Sequence, residues 1–315
     1  MMTNMQTVPI FIVSLFVHFS LTIARDTITL ATPLADGETL VSAGGSFVLG
    51  FFTPANSHNR YVGLWFNQIS VQTILWVANR QHPVPDTTGT LKLTSDGNLI
   101  ITNQNSTIFW SSATSSVTTP VAKLLGNGNL VVREANAITN GSFAWQSFDH
   151  PTDSLLPGMK LGVDLRTGLN RNLTAWKSES DPSPGDYVMS MDILGDPQLT
   201  AWAGTARKWR SGSWNGEAFT GMPEMKTFHE FNFHFFNTKD EIYYSYETTD
   251  KSIITRMVMN HTGATQLFVW LDGSVWLGGS DGWGLFWYAP KTKCNGFSLC
   301  GSYGFCSIYT SQMLA

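Results

Sequence analysis

The sequence predicts an all-β protein, and three observations lead to that class. From Asp26 onward the 315-residue chain alternates apolar and polar side chains with period two, broken by Gly, Asn and Pro, with no convincing amphipathic helix. Gly 28 and Pro 13 supply turns, while Trp 12, Tyr 8 and Phe 20 suit pleated, half-buried strands. The third observation is an internal repeat: Ala43-Gly44-Gly45-Ser46-Phe47-Val48-Leu49, Ser95-Asp96-Gly97-Asn98-Leu99-Ile100-Ile101 and Gly126-Asn127-Gly128-Asn129-Leu130-Val131-Val132 can be laid over one another.

Each repeat places a Gly-containing turn before an apolar strand, and a later strand in each ends in Trp: Leu75-Trp76, Phe109-Trp110 and Ala144-Trp145. A unit this small cannot bury its apolar face alone. Three such sheets around a pseudo-threefold axis, with the tryptophans pointing inward as core rather than ligand platforms, is the economical arrangement.

Composition narrows the function. Charged residues make up 13% of the chain, about half the usual share, and the net charge is −4 with no basic run. That excludes a disordered polyelectrolyte and a coiled coil, and it removes the electrostatic footprint of a nucleic-acid binder. Residues 1–24 hold no Asp, Glu, Lys or Arg. Their apolar run from Val8 to Val17 is too short to span a bilayer, and Thr22 and Ala24 supply the small residues of a cleavage site. The expectation is a secretory signal peptide over 1–24, a mature chain from Arg25, and no membrane anchor in it. Sequons at Asn105, Asn140, Asn172 and Asn260 agree with an extracellular glycoprotein.

Catalytic constellations fail on spacing. His229-Glu230 and His234 are one residue too far apart for a zinc-protease helix. In a strand-like run with Phe228, Phe231, Phe233, Phe235 and Phe236, residues five apart face opposite ways. Ser147, Asp149, His150 and Asp153 crowd into one polar turn without a nucleophile elbow. Tyr243-Tyr244-Ser245-Tyr246 and Trp283-Gly284-Leu285-Phe286-Trp287-Tyr288 read as sheet core or interface. No enzyme activity, cofactor or metal is expected.

The repeats, together with Leu75-Trp76-Val77-Ala78-Asn79-Arg80 and the run Trp145-Gln146-Ser147-Phe148-Asp149-His150-Pro151-Thr152-Asp153-Ser154-Leu155-Leu156-Pro157-Gly158-Met159-Lys160, resemble the bulb-type mannose-binding lectin domain. More narrowly they resemble plant S-locus glycoproteins and S-domain (G-type lectin) receptor kinase ectodomains. Trp176-Lys177-Ser178, Asp181-Pro182-Ser183-Pro184-Gly185, Trp209-Arg210-Ser211-Gly212-Ser213-Trp214-Asn215-Gly216 and Cys300-Gly301-Ser302-Tyr303-Gly304-Phe305-Cys306 continue the likeness over nearly all of the mature chain. The resemblance implies a bulb-type lectin β-prism over 25–147, a second, degenerate lectin-like β domain over 148–290 with the S-locus glycoprotein region from about 208, and a truncated EGF-like start over 291–315. The transmembrane and kinase parts of the receptor members find no counterpart in the sequence, which has no Gly-rich phosphate loop and no Asp-Phe-Gly.

Mannose-binding members of that family use Q-x-D-x-N-x-V-x-Y, five alternate positions forming a polar shelf with an apolar floor. Here the positions read Thr94, Asp96, Asn98, Ile100 and Thr102 in one repeat, Leu125, Asn127, Asn129, Val131 and Arg133 in another, and Ser42, Gly44, Ser46, Val48 and Gly50 in the first. None is intact, and Asp96, Asn98 and Ile100 are the only serious sugar-binding candidates. The competing and weightier reading of Asp96-Gly97-Asn98 and Asn127-Gly128-Asn129 is a hairpin turn, since Asp-Gly and Asn-Gly tolerate positive φ.

The cysteines, Cys294, Cys300 and Cys306, are odd in number, which leaves at least one thiol without an intramolecular partner. Three thiolates at wide spacing without a fourth ligand are a poor zinc site. The EGF-like resemblance implies a Cys294–Cys306 disulfide, leaves Cys300 unpaired, and implies a loosely held segment from Cys294 to Ala315. The function expected is therefore a secreted, non-catalytic recognition glycoprotein binding an extracellular peptide or receptor ectodomain, in pollen-recognition or defence-type signalling. The alternatives are a mannose-binding lectin or a truncated receptor product without autonomous function. The aromatic strands from Phe228 to Tyr246 are a candidate partner surface or core.

Overall fold

The computed structural model describes residues 25–114, 116–137, 143–271, 282–300, 304 and 306–307. The signal-peptide segment, the Asn140 sequon and most of the tail after Cys300 lie outside the described residues. Within them the chain is built from short antiparallel strands, and the only helical pieces are single 3-10 turns at Ser147–Asp149, Pro223–Thr227 and Lys293–Asn295. No described helix is long and apolar enough to cross a membrane.

The strands form six four-stranded sheets, three in each half of the chain. In the first half, one sheet joins Thr39–Val41, Phe47–Phe52, Tyr61–Phe66 and Ile74–Val77. The next joins Leu34–Ala35, Thr90–Leu93, Leu99–Thr102 and Ile108–Ser111. The third joins Thr27–Ile28, Pro120–Leu124, Leu130–Glu134 and Trp145–Gln146, so the first described strand closes onto the last sheet of the prism.

The tryptophans do meet on the axis. Trp76, Trp110 and Trp145, one from the last strand of each sheet, stand edge to face at centroid distances of 6.2, 6.1 and 5.7 Å. Edge-to-face contact sets the positive ring edge of each indole against the negative face of the next, so three bulky rings close a threefold axis without repulsion.

The second half repeats the plan with other residues. Its sheets are Ser154–Leu155 with Thr255–Met259, Thr265–Trp270 and Trp283–Ala289; Asn170–Arg171 with Leu161–Asp164, Glu241–Thr248 and Phe231–Asn237; and Leu173–Ser178 with Asp181–Asp192, Gln198–Ala203 and Ala206–Arg210. Here too the first strand closes onto the last sheet, through Leu155 opposite Met257. Tyr244, Tyr246 and Phe219 are fully buried, with Met189, Met191, Met222, Met225, Met257 and Met259 packed in the same core. The aromatic run from Phe228 to Tyr246 is thus mainly core, although Phe236 is exposed and stacks on Tyr243. His229 lies in the turn before that run's strand rather than on it, and His234 is exposed on the strand. Among the described residues no three His, Cys, Asp or Glu side chains are placed to hold a metal ion.

Two small devices recur in both prisms. One is a turn: Thr94 N–H to Asn98 O at 2.9 Å with Gly97 N–H to Thr94 O at 3.0 Å, repeated at Leu125, Gly128 and Asn129 and again at Asn260, Gly263 and Ala264. The third turn residue is a glycine at φ +88°, +88° and +90°, a conformation that costs an L-residue about 1–2 kcal/mol. The other is a Trp-x-Ser clamp. Ser112, Ser147 and Ser211, each two residues after a Trp, accept the N–H groups of Leu99, Leu130 and Leu199 at 2.9–3.0 Å.

The halves are locked together by buried polar contacts. Arg80 donates to the carbonyls of Pro182, Thr174 and Ala175 at 2.5, 3.0 and 2.7 Å. Trp76 Nε1 donates to His150 O at 2.8 Å, and Trp283 Nε1 to Thr73 Oγ1 at 3.0 Å. This explains why Phe47–Phe52 is buried on both faces: Phe52 packs outward with Tyr61 and Val77, against Trp176 of the second half.

Candidate functional site

The strand that was to carry the sugar shelf begins only at Leu99. Thr94, Asp96 and Asn98 belong to the turn before it, so the five positions do not share one pleated face. Asp96 is exposed, and its carboxylate takes the Thr94 hydroxyl, the bond that chiefly holds its pKa below the usual carboxylate value. Asn98 Oδ1 accepts from Ser111 and Ser112, both at 3.0 Å, which fills its two lone pairs. Ile100 is buried at 7% exposure and offers little floor to a ligand. What remains open to a sugar is one Asp96 carboxylate and the Asn98 amide nitrogen.

The equivalent sites are closed from within. Asn129 Nδ2 donates to Gln146 Oε1 at 2.8 Å, and its Oδ1 accepts from Ser147 Oγ and Phe148 N–H at 3.2 Å. Gln146 passes the network to Asp149, whose other oxygen takes Arg171 Nε at 2.6 Å. The crowded run of Ser147, Asp149 and His150 is therefore a structural brace between repeat and second prism. In the first repeat, Ser42 is buried and accepts Phe47 N–H at 3.0 Å.

His150 stacks on Trp145 at 5.6 Å, and burial pushes its pKa below the ordinary imidazole value against the pull of Asp149. Asp153 is buried too, its pKa raised by desolvation, with Arg80 and Arg256 opposing. Three sequons are described. Asn105 lies exposed in a loop, Asn172 has an Oδ1 shut off from solvent without a partner, and Asn260 uses Oδ1 to accept Thr262 and Ala264 N–H groups. Cys294 and Cys306 form a disulfide, and Cys300 is a free, partly buried thiol.

A cleft of about 740 Å³ opens between the prisms, lined by Phe52, Trp176, Asp153, Arg256 and Gln266 among others. No motif in the sequence singles out Trp176 and Arg256 as neighbours in a site. They are 80 positions apart, on the strands Leu173–Ser178 and Thr255–Met259 of the second half, and Phe52 and Thr73 of the first half supply further lining of the same space.

The D-mannose binding lectin family matches residues 73–177, and the S-locus glycoprotein domain family matches residues 209–314. Over 305 residues the chain is 42% identical to the G-type lectin S-receptor-like serine/threonine-protein kinase RKS1 of Arabidopsis thaliana, covering 96% of this chain and 36% of that protein. It is 40% identical to the receptor-like serine/threonine-protein kinase SD1-8 of the same plant, over 89% of this chain and 32% of that one. The mannose-specific agglutinin from snowdrop (Galanthus nivalis) bulbs, solved with methyl-α-D-mannoside, aligns with 37% of this chain and 96% of its own at 20% identity and a TM-score of 0.29. The chain spans about a third of the length of the curated relatives it matches.

Proposed function

We propose, from the premise that this chain is a homologue of the G-type lectin S-receptor-like kinases matching their ectodomain-like region alone, that it is an extracellular, non-catalytic recognition glycoprotein. Its partner in this reading is a peptide or another receptor ectodomain. The observation that supports it is the fate of the sugar positions: Ser42 accepts a backbone N–H with its hydroxyl, and Asn129 spends both its amide nitrogen and its carbonyl oxygen on internal hydrogen bonds, so these two positions are engaged from within. A small ligand that loses even one of a few matched hydrogen bonds loses most of its affinity.

Calorimetric titration of the secreted protein with mannose is expected to give no saturable heat. A dissociation constant below roughly 100 μM would overturn this and favour a carbohydrate-binding lectin. That second reading rests on the exposed Asp96 carboxylate and the uncommitted Asn98 amide nitrogen, and loss of the heat in Asp96→Ala would locate the site. The positive arm is surface plasmon resonance against soluble ectodomains of homologous receptor kinases, where saturable binding is expected. Glycosidase treatment of the secreted protein should increase its gel mobility, with Asn105→Gln removing part of the shift because an exposed loop carries a glycan without disturbing the core.

A further inference from the structure

At the edge of a sheet half of the backbone groups point away from it, ready to pair with another chain. Most edges in this protein are closed. No edge strand of the first half exceeds four residues. In the second half, Ser154–Leu155 and Asn170–Arg171 have two residues each. Leu173–Ser178 is spent on the joint between the halves: Thr174 N–H bonds Thr152 O at 2.7 Å, and Arg80 holds the Thr174 and Ala175 carbonyls. Ala206–Arg210 carries Arg207, Lys208 and Arg210, and Lys208 O accepts Phe297 N–H at 2.8 Å. Trp283–Ala289 is broken by a bulge opposite Leu267 and Phe268 and stops at Pro290.

Phe231–Asn237 is the exception. It is a seven-residue edge strand without Asp, Glu, Lys, Arg or Pro, and its register against Glu241–Thr248 is unbroken. Thr238 N–H bonds Glu241 O at 3.0 Å and Thr249 N–H bonds Glu230 O at 2.9 Å, which fixes the phase of the ladder. Even-numbered residues therefore exchange bonds with the neighbouring strand, and Phe231, Phe233, Phe235 and Asn237 turn theirs outward. Phe228 O takes the Phe231 N–H at 3.2 Å and closes that end. The outward groups of Phe233, Phe235 and Asn237 have no backbone partner among the described residues.

A second observation lies on the inner face of the same stretch. Phe233 and Phe235 are only partly buried, and so are Phe228, 6.3 Å from Phe233, and Trp214, stacked on Phe235 at 5.7 Å. The aromatic run is core by its rings, yet its edge is open and keeps a half-exposed apolar strip beside it. Unpaired donors and acceptors at strand spacing are matched by another extended backbone, and the strip by apolar side chains at every second position. A second copy of the chain fits poorly. Paired antiparallel over this stretch, it would run its residues 238–240 into residues 228–230 of the first.

We propose that the open edge of Phe231–Asn237 takes up an extended peptide as a fifth strand, one with apolar side chains at alternate positions that pack on Phe233, Phe235 and Trp214. This rests on the reading of the chain as a recognition protein with a peptide or ectodomain partner, and it says where and how the peptide is held.

The probe is a blocked heptapeptide, Thr-Val-Thr-Phe-Thr-Val-Thr, titrated calorimetrically into the full secreted chain. Saturable binding with a dissociation constant below about 1 mM is expected. Only one alternate set of the peptide's N–H groups can face the edge, so N-methylating that set should abolish binding and N-methylating the other should be tolerated. At saturation the amide hydrogens of Phe233 and Phe235 should exchange about tenfold or more slowly, because they gain acceptors. Asn237→Pro removes one outward N–H at an exposed position and should weaken binding about fivefold. No saturable binding, or the same outcome for both N-methylated sets, would overturn the proposal, as would unchanged affinity in a folded Asn237→Pro protein. Binding without protection of Phe233 and Phe235 would overturn it too, while leaving the recognition reading standing; failure of receptor ectodomains to bind would count against that reading alone. Self-association that protects the same two amides without peptide would give the edge to a second copy and defeat the proposal. Should Asn237→Pro fail to fold, the N-methylated peptides and the exchange rates of the wild type decide the matter.

Discussion

The two prisms share a plan but differ in what fills them. Around the first axis stand three indoles in mutual edge-to-face contact; the second core is packed with Tyr244, Tyr246, Phe219 and a group of methionines, and its indoles meet only in pairs among the described residues, Trp209–Trp287 at 6.4 Å and Trp270–Trp283 at 5.4 Å. Yet the glycine turn and the Trp-x-Ser clamp recur in both. The backbone devices that start and stop strands are therefore stricter than the side chains of the core. A turn needs a particular φ and a buried N–H needs an acceptor, whereas a core needs only volume, which flexible Met and rigid Trp can both supply.

The largest test of that contrast is at the first axis. Trp76→Ala removes one indole of the triad and its bond to His150 O, and should destabilise the protein by about 3–5 kcal/mol in chemical denaturation. Met257→Ala in the second core, where Leu155 and Leu267 stand opposite it, should cost less, about 2–3 kcal/mol, because it removes an aliphatic side chain rather than one indole of an interlocked triad. Equal losses would show that the second core is as rigidly specified as the first.

Next in size is the joint between the prisms. Arg80→Met keeps most of the side-chain volume but strips three carbonyls of the second half of their donor, a loss of roughly 3 kcal/mol. The expected signature is loss of cooperativity: one unfolding transition in the wild type becomes two in the variant. A single, merely shifted transition would mean that the apolar contact of Phe52 with Trp176 suffices to couple the halves.

The first prism was legible in the sequence because its repeat is carried by neighbours in the chain, Asp96-Gly97-Asn98-Leu99 beside Asn127-Gly128-Asn129-Leu130, and because Trp has few places to go but a core. The second prism was reached only through family resemblance. Its glycine turn survives as Asn260 to Gly263 and its clamp as Trp209-Arg210-Ser211, in different sheets, so no segment repeats as a whole. The sugar positions were legible as residues but not as a state: Asn129 looks like a ligand-binding amide until Gln146 and Ser147 are seen to occupy it. His229 was misplaced because an aromatic run does not mark where its strand begins. Arg80 ends the family-like run Leu75-Trp76-Val77-Ala78-Asn79-Arg80, but nothing in that run says that it reaches the carbonyls of Thr174, Ala175 and Pro182, a role that comes from the docking of two units.

The shared turn can be tested directly, with a smaller effect. At φ near +90°, alanine strains the backbone in either prism, but the surroundings differ. A Cβ at Gly97 would sit 2.6 Å from Val117 Cβ, which is anchored to its own backbone, whereas at Gly263 it would sit 2.6 Å from the ring edge of Tyr187, which can swing aside. Gly97→Ala should therefore cost about 2–3 kcal/mol and Gly263→Ala about 1–2 kcal/mol. A reversed order would mean that the Tyr187 ring is held as firmly as backbone.

The smallest effect is a pH dependence belonging to the first axis, where His150 lies flat against Trp145. Burial lowers its pKa in the folded protein, with Asp149 opposing and Arg171 assisting. The unfolded chain therefore binds a proton at His150 before the folded one does. This group's contribution is present in full above its ordinary value of about 6.5 and is lost as the pH falls through the folded value. The carboxylates with depressed pKa values, Asp86, Asp96, Glu134, Asp164, Asp181, Glu217 and Asp250, lose their contribution only in more acidic solution, below their ordinary range. Asp153, whose pKa is raised, works in the opposite sense: protonation favours the folded state as the pH falls. The cleanest measurement is accordingly a difference. Thermal midpoints of the wild type and of His150→Gln, taken from about pH 7.5 down to about pH 5, should converge as the pH falls, because the variant lacks the proton that the unfolded wild type takes up. Parallel curves would show that His150 is charged as readily in the folded prism as in the unfolded chain, and that the stack on Trp145 does not keep water from it.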